Sequence, residues 1–126
     1  LVGSEMCIRD RTNLKELIIE GIHNRKGHGI SVVDLSSIDT AATGTFIIAE
    51  GNSTTHTASI AESVAEHVLD TSGVKPYGID GEEGSDWVIM DYGDIWVHIF
   101  LPETRTRYNL EELWSDAEIT QVADLD

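Results

Sequence analysis

Four things are scarce in this 126-residue chain. It has one cysteine, Cys7, so no internal disulfide can form, which fits a reducing compartment. It has two prolines, and no Pro- or Ser-rich linker or internal repeat divides it. Apolar runs stop at four or five residues, as in Trp87–Met90, far short of the roughly 20 needed to cross a bilayer. Basic residues are nearly missing from the middle: Gly27–Thr104 carries thirteen acids and one base, Lys75. The net charge is −15. Direct DNA binding is excluded on that account, because phosphates need Lys and Arg to replace their counterions. The same field attracts a basic protein and speeds its encounter.

The length suits one domain, and 40% apolar residues suffice for one core. The first eleven residues, LVGSEMCIRDR, differ from the rest. They lack an initiator Met, a helical or strand period, and the apolar stretch of a signal peptide. They read as a non-native scar of the kind left by a translated sequencing adapter. Residues 12–114 then form the domain, and 115–126 an acidic tail, poorly periodic and expected to be frayed.

Thr12 or Asn13 caps a first helix, with Leu14, Leu17, Ile18 and Ile22 on one face. Gly29–Leu35 and Phe46–Glu50 read as strands, the second central because it is nearly continuous in apolar residues. Ser36–Gly44 is a loop. Ser53 or Thr54 caps a second helix to about Thr71, with Ile60, Ala61, Val64, Val68 and Leu69 at helical spacing, and Gly73 closes it. Pro76–Ile79 is a short edge strand. Trp87–Tyr92 and Ile95–Phe100 form a hairpin across Gly93-Asp94. Pro102 stops that strand, and Asn109–Trp114 reads as a short helix. The order α-β-β-α-β-β-β-α predicts a single small α/β (α+β) domain, a mixed sheet with helices on one face.

Most chemistry fails on spacing. No two of the five histidines stand i, i+4 on a helix, and no thiolates support them, so no metal or cofactor site is expected. Ser53 lacks the G-x-S-x-G of a nucleophile elbow, and capping accounts for it. The turn before it has no phosphate-binding Lys. Asp91 and Asp94 flank the hairpin turn. They invite an enzymatic alternative, nucleotidyl transfer with Mg²⁺, but no third carboxylate is assignable and Asp-Tyr-Gly-Asp is ordinary turn chemistry. No catalytic residue is expected.

The richest stretch is GEEGSDWVIMDYGDIWVHIF, Gly81–Phe100, with five acids and no Lys or Arg. Strand alternation puts Trp87, Ile89 and Asp91 on one face and Val88, Met90 and Tyr92 on the other. It likewise groups Trp96, His98 and Phe100 against Ile95, Val97 and Ile99. One face is apolar, as a core requires. The other mixes aromatics with Asp and His, as an interface does.

This run resembles the signature of the ribosomal silencing factors, the Iojap or YbeB-like family. Glu103-Thr104-Arg105 and Tyr108-Asn109-Leu110-Glu111-Glu112-Leu113-Trp114 fit its continuation. Val33-Asp34-Leu35, Phe46-Ile47-Ile48 and Gly51-Asn52-Ser53 fit upstream. Thr43-Gly44-Thr45 lacks the family's usual Asp, and Asp80 replaces its usual Glu. The resemblance implies a nucleotidyltransferase-like topology without the catalytic set. It implies a bacterial, cytoplasmic protein that binds the large ribosomal subunit through universal ribosomal protein number fourteen. Docking there blocks subunit joining and represses translation. The expected partner-binding residues are Trp87, Ile89, Asp91, Tyr92, Asp94, Trp96 and His98, with Trp87 as anchor. A self-associating module is the other alternative, and a homodimer away from the ribosome is compatible with docking.

Overall fold

The computed structural model describes residues 14–35, 44–109, 112 and 117–122. The readings of 1–11 as a scar and of 36–43 as a loop lie outside the described residues, as does most of the expected helix Asn109–Trp114. Helix α1 covers 14–24. It is followed by β1 (His28–Asp34), β2 (Thr45–Glu50), α2 (Thr54–Ser72), β3 (Gly78–Asp80), β4 (Trp87–Asp91), β5 (Ile95–Phe100), α3 (Pro102–Tyr108) and β6 (Glu118–Gln121).

The six strands form one sheet in the order β3-β4-β5-β2-β1-β6. Every pairing is antiparallel except β2 with β5, which run parallel from Thr45↔Ile95 to Glu50↔Phe100. The sheet is therefore mixed, and β2 is interior as its apolar run predicts. Crossing back to a parallel partner takes a long connection. Here α2, β3 and β4 supply it.

Helix α2 begins where the sequence says it should. Ser53 has extended backbone, and its Oγ accepts from the His56 N–H at 3.1 Å. Gly73 closes the helix in the left-handed region, its N–H donating to Leu69 O. One stripe of α2, Ile60, Ala61, Val64 and Val68, packs with Leu17, Ile18 and Ile22 of α1 over Ile30, Val32, Ile47, Val88, Met90, Val97 and Ile99 of the sheet. This is the main core. Each buried Val, Leu, Ile or Met among them contributes roughly 1.5–3 kcal/mol by leaving water. Ser63 Oγ, donating to Gly21 O at 2.8 Å, ties α2 to α1.

The second sheet face carries Val33, Leu35, Phe46, Ile48, Phe100 and Ala117, with Trp87, Trp96 and Ile119 partly buried against them.

Three expectations need correction. The helices do not all lie on one face. Arg105 of α3 reaches Ser31, and Tyr108 rests on Trp87; both contacted residues share the second face with Val33 and Phe100. Nor does Pro102 merely end β5. It stands in the first turn of α3, where a missing N–H costs nothing and the ring fixes a helical φ. The last twelve residues are not simply a frayed tail. Within them Glu118–Gln121 pairs antiparallel with β1, Ser31↔Gln121 to Asp34↔Glu118.

Arg105 bolts α3 down. Its Nη1 donates to Glu50 Oε2 at 2.7 Å and to Gly29 O, and its Nη2 to Ser31 Oγ at 3.0 Å. Ser31 Oγ in turn donates to Gln121 Oε1 at 3.0 Å. One guanidinium thus links α3, β1 and β2, and through Ser31 reaches β6. Gly29 makes room: its φ is +61°, and a Cβ there would lie 2.8 Å from both Arg105 Nη1 and Glu50 Oε2.

Candidate functional site

The β4–β5 hairpin builds the site. Its register, Trp87↔Phe100, Ile89↔His98 and Asp91↔Trp96, sets these six side chains on the second face, as alternation requires. Trp87, Ile89, Asp91 and Trp96 are half-buried, whereas His98 and Phe100 are buried. Val88, Met90, Val97 and Ile99 point the opposite way into the main core.

The aromatic rings form a continuous layer. Trp87 stacks on Phe100 at 5.0 Å and meets Tyr108 at 4.7 Å. Phe46, from the parallel neighbour β2, meets His98 edge-on at 4.6 Å and stacks with Trp96 at 6.2 Å. Offset and edge-on contacts of this kind are the favoured geometries. The layer runs from exposed Tyr108 through Trp87 and buried His98 to Trp96. Acids border it. Asp91 is half-buried, Asp86 and Asp94 are exposed.

The structure does not bring every expected residue together. Tyr92 is 5% exposed and belongs to the main core on the opposite face, so its ring is not on the aromatic face. Burial raises its pKa to about 12, and its hydroxyl has no partner among the described residues. His98 lies within the aromatic layer but is 3% exposed. Burial lowers its pKa to about 4, so the ring is neutral at pH 7. Asp91 Oδ1 accepts from the Gly93 N–H at 2.8 Å, the turn chemistry the sequence suggested. Asp94 accepts the Gly44 and Thr45 N–H groups through its carbonyl at 3.1 and 3.0 Å. Among the described residues, no group of three His, Cys, Asp or Glu is placed to hold a metal, and no helix is long and apolar enough to cross a membrane.

Tyr108 and Phe46 join the layer without having been singled out. Tyr108 sits in the run Tyr108–Trp114 and becomes visible once Pro102 is taken as a helix start. Phe46 has no such signal, because the pairing of β2 with β5 cannot be read from either strand.

The Gly81–Ser85 turn before β4 is firmly held. Gly81 has φ +85°, and a Cβ there would lie 2.0 Å from Trp87 O. Ser85 Oγ donates to Glu82 O at 2.7 Å, and Thr57 Oγ1 of α2 donates to Ser85 O.

The family model described as "Ribosomal silencing factor during starvation", RsfS, matches residues 9–126. The chain belongs to this family. The ribosomal silencing factor RsfS of Chromobacterium violaceum is 36% identical over 101 residues, covering 80% of this chain and 81% of its own. The RsfS of Bacillus subtilis is 34% identical over 103 residues, 82% and 83% of the two chains. A crystal structure of a Chromobacterium violaceum protein superposes with a TM-score of 0.77 at 35% identity, covering 82% of this chain and 85% of that one. The family match spans the β4–β5 hairpin and the aromatic layer. At Gly44, where the resemblance implies an Asp, an added Cβ would meet, among the described residues, only Asp94 O at 3.5 Å.

Proposed function

We propose that this chain silences translation by docking on the large ribosomal subunit and obstructing the small one. The observation that carries the proposal is a layer of aromatics that reaches solvent, half-buried Trp87 and Trp96 with exposed Tyr108, bordered by Asp86, Asp91 and Asp94, on a member of the RsfS family. Aromatic anchors surrounded by polar residues are what interface centres are made of. The acidic border suits a basic ribosomal protein. We assign that role to universal ribosomal protein number fourteen of the large subunit, in the bacterial cytoplasm. The action is steric: a body seated at the inter-subunit face leaves no room for subunit joining.

Within this reading Trp87 is the anchor. Ile89 and Trp96 extend the apolar contact, and Asp91 and Asp94 supply complementary charge. His98 acts from beneath by holding Trp87, and Tyr92 supports the hairpin from the core. A homodimer away from the ribosome would use the same face and dissociate on docking. The nucleotidyltransferase-like topology belongs to the proposal without its chemistry, since Asp91 is already engaged by Gly93.

The test is co-sedimentation with purified large subunits. Trp87→Ala should weaken binding by about 2 kcal/mol, roughly 30-fold, while circular dichroism stays native. Native-fold Trp87→Ala that pellets with large subunits as well as the parent protein does would exclude the anchor. Failure of the parent protein itself to pellet would exclude the function.

A further inference from the structure

A groove runs along the other side of the molecule. One wall is α2, contributing Thr54, Ala58, Ala61, Glu62 and Ala65. The other is Ile79 of β3 and the Gly81–Ser85 turn. It consists of two adjoining depressions of about 410 and 290 Å³ that share Ala58 and Glu62. We propose that this groove docks a short basic segment of a partner protein, separately from the aromatic face.

The shape and the chemistry of the walls select that occupant. Ala58, Ala61 and Ala65 recur on one side of α2 and leave the helix surface low, and Ile79 continues this apolar floor. Glu62 rises from one wall, Glu82 and Glu83 from the other, and all three are exposed. Among the described residues none of the three has a cationic partner and no Lys or Arg lines the groove. A Lys or Arg side chain fits such a section twice over. Its methylene stem covers apolar surface while its charged head reaches the acids at the rim. Charge pairing of this kind sets specificity and encounter rate.

The groove follows α2 from Thr54 to Ala65, about 16 Å at the helical rise. An extended segment of about five residues spans that length. The walls already touch before any partner arrives: the buried Thr57 hydroxyl of α2 lies against Ser85 O and shares its one proton between that carbonyl and Thr54 O. Little ordering of the groove itself opposes docking. Since α2 packs on the sheet face opposite Trp87, both surfaces can be occupied at once.

The test uses the full chain and a fluorescent hexapeptide of alternating Lys and Ala, read by anisotropy. Glu62→Lys with Glu83→Lys should weaken binding at least about tenfold. Ala58→Trp should do the same by filling the groove at an exposed helical position with no change of charge. A control with the same charge change elsewhere, Asp70→Lys with Glu118→Lys, both exposed and outside the groove and the aromatic face, should stay within about twofold of the parent. Trp87→Ala should do likewise, which separates this groove from ribosome docking. Four results would each overturn the proposal: no binding by the parent, equal loss in the charge control, no loss in Ala58→Trp, or displacement of the peptide by spermine charge for charge.

Discussion

The indole Nε1–H of Trp87 donates to Nδ1 of His98 across 3.1 Å. The bond fixes the tautomer of a buried imidazole, since an acceptor Nδ1 leaves the proton on Nε2. It also sets the tilt of the indole, which stands between Phe100 and Tyr108. The ring on which docking is proposed to depend is thus held by a residue that never reaches the surface.

A pH dependence follows. Burial lowers the His98 pKa from 6.5 to about 4. Above 6.5 the ring is neutral in both folded and unfolded chains. As pH falls from about 6.5 toward 4, the unfolded chain takes up a proton that the folded one refuses. Stability therefore drops over that window, by up to about 3 kcal/mol from this group. Urea unfolding at stepped pH should show the slope. His98→Phe should flatten it. His98→Asn, which keeps an acceptor near the Nδ1 position, should retain the Trp87 contact and the native near-ultraviolet signal.

Tyr92 gives the opposite sign at the alkaline end. Its pKa is raised to about 12 by burial, so the unfolded chain loses its proton near pH 10 while the folded chain keeps it. Stability should fall as pH rises above about 10. Its hydroxyl has no partner among the described residues. Tyr92→Phe should therefore be neutral or stabilising by up to about 1 kcal/mol at pH 7, and should remove the alkaline slope. Denaturant midpoints at neutral and alkaline pH measure both effects.

Arg105→Ala should cost about 3 kcal/mol, because it leaves the Glu50 carboxylate, only 20% exposed, without its guanidinium. Arg105→Lys should recover only part of this, since an ammonium cannot reach Gly29 O, Glu50 and Ser31 together in the planar fork. The comparison is by urea unfolding. Loss of far-ultraviolet helix signal before global unfolding would locate the damage in α3.

Gly81→Ala should be severe. The left-handed φ disfavours any side chain, and the added carbon would collide with the Trp87 carbonyl. A loss of about 2–4 kcal/mol is expected, with hydrogen exchange accelerated first in β3 and β4.

The elements that were legible were those whose instructions are local. Ser53 and Gly73 delimit α2, and its stripe of Ile60, Val64 and Val68 was periodic enough to read. The hairpin's alternation correctly divided Trp87, Ile89 and Asp91 from Val88, Met90 and Tyr92. What escaped depended on distant partners. β6 contributes a single inward apolar residue, Ile119, and otherwise faces solvent, so its pattern carried almost no strand signal. His98 looked like a surface residue because Phe46, which presses on it, arrives from a strand whose pairing no local pattern announces. Tyr92 was counted with the docking residues through its place in the motif, although its own parity put it in the core.

The parallel seam between β2 and β5 has a kinetic meaning. Those strands cannot meet until everything from Gly51 to Asp94 has been drawn into a closed circuit, and β6 must then travel back to the beginning of the fold. Closing such loops is an entropic expense met before any contact repays it. The hairpin and the helices need no such closure, so they are expected to form ahead of the seam. The part of the aromatic layer that straddles the seam, Phe46 against His98 and Trp96, is completed only when the seam closes.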